Sequence, residues 1–276
     1  MQKIAVLGAG IMGVGIAQAA AQKGFQVVIR DLQNSLVNEG LKTIEKKLRE
    51  ENVQEIDQIL NRISGTTDLS EVKDSDLVIE AAVENILVKQ QIFTELDNIC
   101  QENTILATNT STLSISEIAS VTKRADKILG MHFFNPVPHK KLVEIIRGLE
   151  TSDNTVASAL EFIRGIGKEA VVLKRESPGY IVNRLVVVYI NEAISLLAEG
   201  LADKEDIDNA MKLSCALDLG PLEVADRIGL DFLYTLLSVF FNETKDNRYR
   251  PHPLLATMVR AGHLGKKTGR GFYQYS

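Results

Sequence analysis

A glycine-rich turn near the N terminus restricts the possible folds of this chain more than any other stretch. Residues 2–7 form a continuous apolar run, typical of a β-strand buried on both faces. The sequence then places glycine at 8, 10 and 13, and a helix of small residues is predicted over 14–23. In such a unit Gly8 permits the tight turn, Gly10 lets a pyrophosphate approach the backbone, and Gly13 lets the helix pack close to the strand. The helix N terminus is therefore a predicted phosphate site.

An acidic residue after the second predicted strand indicates which dinucleotide would bind. Residues 25–30 form that strand, and Asp31 follows it, 18 residues after Gly13. A carboxylate in this position binds the adenosine ribose hydroxyls and repels a 2′-phosphate, so NAD is favoured over NADP. Arg30 beside it leaves NADP open, and a glycine-rich turn without any ligand is the other alternative.

The order of the remaining segments predicts an α/β protein with two domains. Up to residue 173 apolar strands alternate with helices, as in a parallel sheet covered by helices. Beyond it the pattern is helix alone, and Ser177 followed by Pro178 predicts a helix that runs to Glu199. We therefore expect a Rossmann-like NAD-binding domain over 1–176 and an all-α C-terminal domain over 177–276. The later strands are predicted at 76–81, 104–107, 127–133 and 170–173, with helices at 85–99 and 153–166.

Three further segments each suggest a structure, and two of them leave an alternative open. The segment 34–59 is helical and highly charged, typical of a solvated face, with a lysine-bearing arm for a phosphorylated ligand as the alternative. The very apolar segment 229–241 is either the core of the second domain or a subunit interface. The glycine-rich tail 265–275 ends in aromatic residues and is expected to be a docked turn.

The stretch 130–147 carries a histidine and a glutamate that are each set among apolar residues. An ionised carboxylate in a strand such as LVEIIR is costly to bury unless another group pairs with it. A hairpin-like return of the chain can bring Glu144 beside His132, which would then be a general acid/base oriented by Glu144. The alternative is a histidine at a strand end and a glutamate that pairs with Arg147 or Arg184.

Polar residues gather after the strand predicted at 104–107, where the stretch 108–112 reads TNTST. In an open parallel sheet, ligands bind outside the carboxyl ends of the strands, so this cluster is a candidate ligand site. The alternative is a hydroxyl-rich turn that caps the next helix. Asn183 and Arg184 lie in the first two turns of the helix predicted after Ser177, close to the domain junction.

The composition excludes several classes of protein. A net charge of −5 and a pI near 5.5 argue against general binding to nucleic acid or to a membrane surface. Cys100 and Cys215 lie at no metal-like or redox-like spacing, and we expect both thiols to be reduced. The N terminus leads directly into a strand without a signal peptide, and no apolar run reaches the ~18 residues of a membrane span. A cytoplasmic location is expected.

Several segments together resemble the L-3-hydroxyacyl-CoA dehydrogenase family, in its short bacterial 3-hydroxybutyryl-CoA type. They span almost the whole chain in order and are far more specific than a nucleotide-binding loop alone. The segments are VLGAGIMGVGIAQ, VIEAAVEN, ATNTSTLSISEIA, GMHFFNPVPHKKLVEII, SPGYIVNRL, EDIDNAMKL, GPLEVADRIGLD and GKKTGRGFYQY.

The resemblance implies that NAD oxidises a 3-hydroxyacyl thioester reversibly, with no metal. It implies that His132 is the base, that Glu144 orients and polarises it, and that Ser111 and Asn183 contact the substrate. The partners it implies are an acyl-CoA substrate and a second copy of the chain, bound through the helical domain. The residues that it assigns to NAD are Gly8, Gly10, Gly13, Asp31, Glu84, Lys89 and Asn109.

The chain departs from the family pattern at positions that bear on the substrate. Lys140 stands where members commonly have methionine, the segment 213–219 lacks the usual glycine and proline, and the charged arm over 41–59 is shorter than in animal enzymes. The alternative is a dehydrogenase that acts on a hydroxyacyl group held by an acyl carrier protein, as in the biosynthesis of polyketide extender units.

Overall fold

The structure, a computed structural model, describes residues 1–275 and consists of two compact units, Met1–Ser177 and Pro178–Ser276. The predicted domain boundary, between residues 176 and 177, lies one residue before this division. The first unit alternates strands with helices, and the second unit contains helices without a sheet in its described residues. The predicted fold class, a Rossmann-like domain followed by an all-α domain, is confirmed.

Within the described residues, an eight-stranded sheet forms the centre of the first unit. Its strands are β1 (Lys3–Leu7), β2 (Gln26–Arg30), β3 (Ile63–Thr66), β4 (Leu77–Glu80), β5 (Ile105–Thr108), β6 (Ile128–Phe133), β7 (Leu142–Arg147) and β8 (Glu169–Leu173). Their order is β3-β2-β1-β4-β5-β6-β7-β8, and each neighbouring pair is parallel except β6 with β7. The strand order reverses between β1 and β4, which is the switch point where open α/β sheets bind ligands.

The described part of the first unit also contains six α-helices: α1 (Ile11–Ala21), α2 (Asn34–Glu50), α3 (Ile56–Leu60), α4 (Ile86–Ile99), α5 (Ile115–Ala119) and α6 (Asp153–Gly165). The charged arm is α2 and α3, and α2 buries Val37, Ile44 and Leu48 on one face while its lysines face outward. The sequence pattern did not predict β3, because this four-residue edge strand exposes a serine and a glycine and has no apolar run.

The antiparallel pairing of β6 with β7 sets the register of the two residues that the sequence singled out. His132 lies directly opposite Glu144, and Met131 lies opposite Ile145. A one-residue slip would turn every side chain of a strand to the other face of the sheet, so the apolar residues on both faces fix this register. The predicted return of the chain that brings Glu144 beside His132 is present.

The second unit contains five α-helices within its described residues: α7 (Val182–Ala198), α8 (Lys204–Cys215), α9 (Pro221–Ile228), α10 (Leu230–Thr244) and α11 (Pro253–Arg260). The prediction that α7 begins at Ser177-Pro178 is wrong by one turn. Gly179 and Tyr180 have φ angles of +74° and +58°, so the backbone is left-handed there and a helix cannot run through it. A Cβ atom at Gly179 would lie 1.9 Å from the ring of Phe240, so packing also requires glycine at this turn.

Helix α10, the very apolar segment, contributes mainly to the core of its own unit. Leu230, Leu233, Leu236, Leu237 and Phe240 are buried there, together with residues of α7, α9 and α11. Phe232 is an exception, because 44% of its surface is exposed. The core interpretation therefore accounts for most of this helix.

The C-terminal tail docks onto a buried carboxylate, as the docked-turn prediction requires. Asp226 is 1% exposed, and its side chain accepts hydrogen bonds from the N–H groups of Phe272 and Tyr273 at 2.9 and 2.8 Å. The hydroxyl of Tyr275 donates a third bond to it at 3.0 Å. A Cβ atom at Gly271 would lie 1.9 Å from the carboxylate, so the glycine permits this close approach.

We predict that Asp226→Asn lowers the free energy of unfolding by about 3 kcal/mol, because an amide cannot accept all three bonds and buried donors lose their partner. Urea denaturation of the two proteins measures the difference. Asp218→Asn is the control, since Asp218 is exposed and its replacement should change stability little. An equal loss of unfolding free energy in both variants would contradict the conclusion that Asp226 holds the C-terminal tail.

Candidate active site

The three glycines of the first turn have separate tasks in the structure. Gly8 has a φ angle of +104°, and a Cβ atom there would lie 2.6 Å from the carbonyl oxygen of Ala81. A Cβ atom at Gly13 would lie 1.8 Å from the carbonyl oxygen of Gly8, so helix and turn pack too closely for any side chain. A Cβ atom at Gly10 would meet nothing within 4 Å, which leaves an open approach to the backbone.

The N terminus of α1 fits the phosphate groups of a dinucleotide. Gly10 is its N-cap and has no side chain that could accept the N–H groups of the first turn. These donors and the positive end of the helix dipole therefore face the open approach at Gly10. Asp31, at the end of β2, accepts the N–H of Ala9 at 2.7 Å and that of Leu32 at 2.7 Å. The predicted ribose-binding carboxylate is thus fixed against the glycine turn.

A buried ion pair at the end of β4 was not predicted from the sequence. Glu80 and Lys89 are 0% and 1% exposed, and the ammonium lies 2.7 Å from the carboxylate. Glu80 also accepts hydrogen bonds from the hydroxyl of Thr108 and the N–H of Ala82, each at 2.7 Å. The available signal was a carboxylate in an apolar strand, the same argument that singled out Glu144. Glu80 thereby connects β4 and β5 with the first turns of α4.

The polar cluster after β5 is held in place by Glu84. Its carboxylate accepts the hydroxyl of Thr110 at 2.5 Å, the N–H of Ser111 at 2.9 Å and the N–H of Thr112 at 3.2 Å. Glu84 also lies 3.6 Å from the ammonium of Lys89. The structure therefore brings together three residues that the resemblance implied, Glu84, Lys89 and Ser111.

Asn109 joins this cluster to the strand that carries the histidine. Its backbone N–H donates to the carbonyl of Glu80 at 2.8 Å, and its side-chain oxygen accepts the N–H of Phe133 at 2.9 Å. The ends of β4, β5 and β6 are consequently linked at the carboxyl edge of the sheet. Asn183, which was predicted to contact the substrate, lies in the first turn of α7 in the second unit.

His132 and Glu144 form a buried pair. The Nδ1 atom of His132 lies 2.8 Å from Oε2 of Glu144, and the two residues are 6% and 0% exposed. Arg147, the partner of Glu144 in one alternative interpretation, instead donates to the carbonyl of Thr151 and to the carboxylate of Asp153. A carboxylate on Nδ1 fixes the tautomer of the ring and stabilises its protonated form, which is the arrangement of a histidine that exchanges a proton at Nε2.

The described residues also bear on whether the protein has a metal site, a membrane-spanning helix or a disulfide. No group of three or more histidine, cysteine or acidic side chains could hold a metal ion within residues 1–275. None of the helices in that range is long and apolar enough to cross a bilayer. Cys100 is buried and Cys215 is exposed, and neither forms a disulfide.

A dinucleotide cradle and a buried His–Glu pair on one edge of a parallel sheet are the arrangement of a nicotinamide-dependent dehydrogenase. Comparisons with known proteins agree. The model of the 3-hydroxyacyl-CoA dehydrogenase NAD-binding domain matches residues 3–177, and that of the C-terminal domain matches residues 179–275. The chain belongs to the 3-hydroxyacyl-CoA dehydrogenase family.

Three of its relatives match over more than nine-tenths of their own length. A 3-hydroxybutyryl-CoA dehydrogenase from Clostridioides difficile is 46% identical and covers 99% of each chain. The human mitochondrial hydroxyacyl-coenzyme A dehydrogenase is 42% identical, over 100% of this chain and 91% of its own. The crystal structure of (S)-3-hydroxybutyryl-CoA dehydrogenase PaaH1 from Ralstonia eutropha has a TM-score of 0.96 at 45% identity, over 100% of this chain and 99% of that chain. The predicted class, an NAD-dependent 3-hydroxyacyl-CoA dehydrogenase, and the predicted cofactor are confirmed.

We predict opposite effects for two alanine substitutions in the glycine turn. Gly13→Ala should lower thermal stability, because its Cβ atom would collide with the carbonyl of Gly8. Gly10→Ala should leave stability nearly unchanged but weaken NADH binding about tenfold or more, because its methyl group occupies the approach of the pyrophosphate. Thermal unfolding and titration of NADH fluorescence measure the two effects. Normal NADH affinity in Gly10→Ala would contradict this assignment of the phosphate site.

Proposed function

We propose that this protein catalyses the reversible NAD-dependent oxidation of an L-3-hydroxyacyl-CoA of the 3-hydroxybutyryl type to the 3-ketoacyl-CoA. The observation that carries the proposal is the buried His132–Glu144 pair, with 2.8 Å between Nδ1 and Oε2. The named activities of the relatives from Clostridioides difficile and Ralstonia eutropha support this substrate class.

In this proposal His132 moves the proton and Glu144 orients it. The substrate hydroxyl on C3 gives its proton to Nε2, the ring nitrogen opposite the bond to Glu144. Glu144 holds the imidazole in the required tautomer and stabilises the imidazolium that forms, and it does so within a sheet that excludes water. NAD, when bound, accepts the hydride from C3. In the reductive direction the protonated His132 returns the proton to the ketone oxygen.

Ser111 and Asn183 are proposed to bind the substrate oxygen. A hydroxyl and an amide can both donate to an oxygen on which negative charge develops in the transition state. The bond from the N–H of Ser111 to Glu84, at 2.9 Å, fixes the backbone that presents the hydroxyl. Because Ser111 is held before the substrate arrives, its orientation costs little at the moment of reaction.

The other predicted roles extend the same proposal. Residues 1–176 would hold NAD, and residues 177–276 would complete the substrate site and form a homodimer in the cytoplasm. Leu185, Leu201 and Leu213 of the second unit are 69%, 71% and 86% exposed, which supports an apolar contact between subunits. The residues proposed to contact NAD are Gly8, Gly10, Gly13, Asp31, Glu84, Lys89 and Asn109.

The substrate is tested by following NADH oxidation with acetoacetyl-CoA, with an acetoacetyl group on an acyl carrier protein, and with free acetoacetate. We expect acetoacetyl-CoA to be reduced and free acetoacetate not to be, because the free acid lacks the thioester and its carrier. If only the carrier-bound form is reduced, the alternative enzyme for polyketide extender units is correct. If none of the three is reduced, the proposed function is wrong.

We predict that His132→Gln lowers kcat by about three orders of magnitude, because glutamine cannot exchange a proton. NADH binding, measured by fluorescence titration, should remain within about twofold of the wild type, since the change removes only the acid/base group. His263→Gln is the matched control in the second unit and should keep normal turnover. Near-normal turnover of His132→Gln would remove this histidine from the mechanism.

A further inference from the structure

The turn over 134–141 connects the two strands that carry the candidate acid/base pair. It begins after Phe133, the last residue of β6, and ends before Leu142, the first residue of β7. Within it, the N–H groups of His139 and Lys140 both donate to the carbonyl of Pro136 at 3.1 Å. Because the turn joins the ends of the two strands, a displacement of the turn can shift these ends relative to each other, and with them the side chains of His132 and Glu144.

A buried lysine outside the turn holds two of its carbonyl groups. Lys168 lies just before β8 and is 7% exposed. Its ammonium donates to the carbonyl of Val137 at 2.6 Å and to that of Lys140 at 2.7 Å. No carboxylate of the described chain lies within ion-pair distance of it, and burial lowers the pKa of Lys168.

The absence of a carboxylate makes the position of Lys168 unusual. Burying an ammonium group is unfavourable, and two neutral carbonyls compensate it less well than an ion pair would. A plain packing role would be met at lower cost by an apolar side chain of similar length. The two charge-assisted bonds instead fix backbone atoms on either side of His139, which is a positional task.

The other side of the turn packs against the helix of the dinucleotide cradle. Val137 is 2% exposed, and a Cβ atom at Gly15 of α1 would lie 2.9 Å from the Cβ atom of Val137. The turn is therefore held between α1 on one side and the ammonium of Lys168 on the other.

We propose that Lys168 is a positioning residue for this active site. It fixes the 134–141 turn against α1 and thereby sets the alignment of the His132–Glu144 pair with the cofactor cradle. The inference rests on the proposed function for its catalytic consequence, while its structural part concerns the turn alone. The effect on turnover follows because a displacement of about 1 Å at a reacting group can cost on the order of a hundredfold in rate.

The test compares Lys168→Met, which keeps the length of the side chain but removes its donors, with Lys168→Gln, which keeps an NH₂ donor. Lys141→Met is the control, since Lys141 is an exposed lysine at the end of the same turn. For Lys168→Met we expect kcat with acetoacetyl-CoA to fall about tenfold or more, with the KM for NADH within about twofold of the wild type. Lys168→Gln should recover part of the loss, and Lys141→Met should match the wild type.

Hydrogen–deuterium exchange of peptides over 134–141 gives a readout that does not depend on activity. Exchange should rise in Lys168→Met and fall back in Lys168→Gln, at temperatures well below unfolding. If the wild type fails to reduce acetoacetyl-CoA, the proposed function is wrong, and exchange alone decides whether Lys168 holds the turn. Unchanged exchange in Lys168→Met overturns the inference. A kcat of this variant within about threefold of the wild type also overturns it, as does a loss of NADH affinity that parallels the loss of kcat. If Lys168→Met does not fold, Lys168→Gln is judged by the same measurements against the wild type.

Discussion

The candidate active site depends on a carboxylate that is completely buried. Glu144 is 0% exposed, and an ionised group in that position is stable only with a strong partner. The antiparallel register of β6 and β7 supplies this partner, because it sets His132 directly opposite. The same pairing that stabilises the sheet thus orients the imidazole. Loss of the pairing would remove both the strand register and the proposed orientation of His132, so the fold of this hairpin and the proposed chemistry depend on the same contacts.

A second buried carboxylate organises the part of the site that is proposed to hold the cofactor. Glu80 accepts bonds from Lys89, Thr108 and Ala82 at the end of β4. Its neighbours Glu84 and Asn109 extend the network to the polar loop and to the backbone of Phe133. Four of the bonds in this network join a side chain to a backbone N–H group, so they fix the path of the loops in addition to the side chains. An enzyme that works by orienting its substrate needs side chains and loops that are held in place before the substrate binds, as they are at this edge of the sheet.

The sequence predicts the fold well where local chemistry decides the structure. The spacing of the glycines predicts the strand, turn and helix at the N terminus. A short return of the chain through a proline-containing turn predicts that Glu144 lies beside His132. Prediction from the sequence fails where tertiary packing determines the local structure. The start of α7 is an example. Ser177-Pro178 is a good helix start, yet the backbone is left-handed at Gly179, and that residue packs so closely against the ring of Phe240 that a side chain would collide with it. The apolar strand around Glu80 indicates that this carboxylate needs a partner, but it does not identify Lys89, because the burial of Lys89 follows from how α4 packs on the sheet.

The docked tail has a consequence for how the protein is made. The tail residues that donate hydrogen bonds to the carboxylate of Asp226 follow it by 46 to 49 positions in the sequence. During synthesis, which runs from the N terminus, α9 emerges from the ribosome with this buried acid still lacking its partners. Asp226 cannot accept these three hydrogen bonds until residues 272–275 have left the exit tunnel, whereas the last strand of the first unit ends at Leu173 and is synthesised much earlier. The bonds that dock the tail onto α9 can therefore form only after the tail has been synthesised.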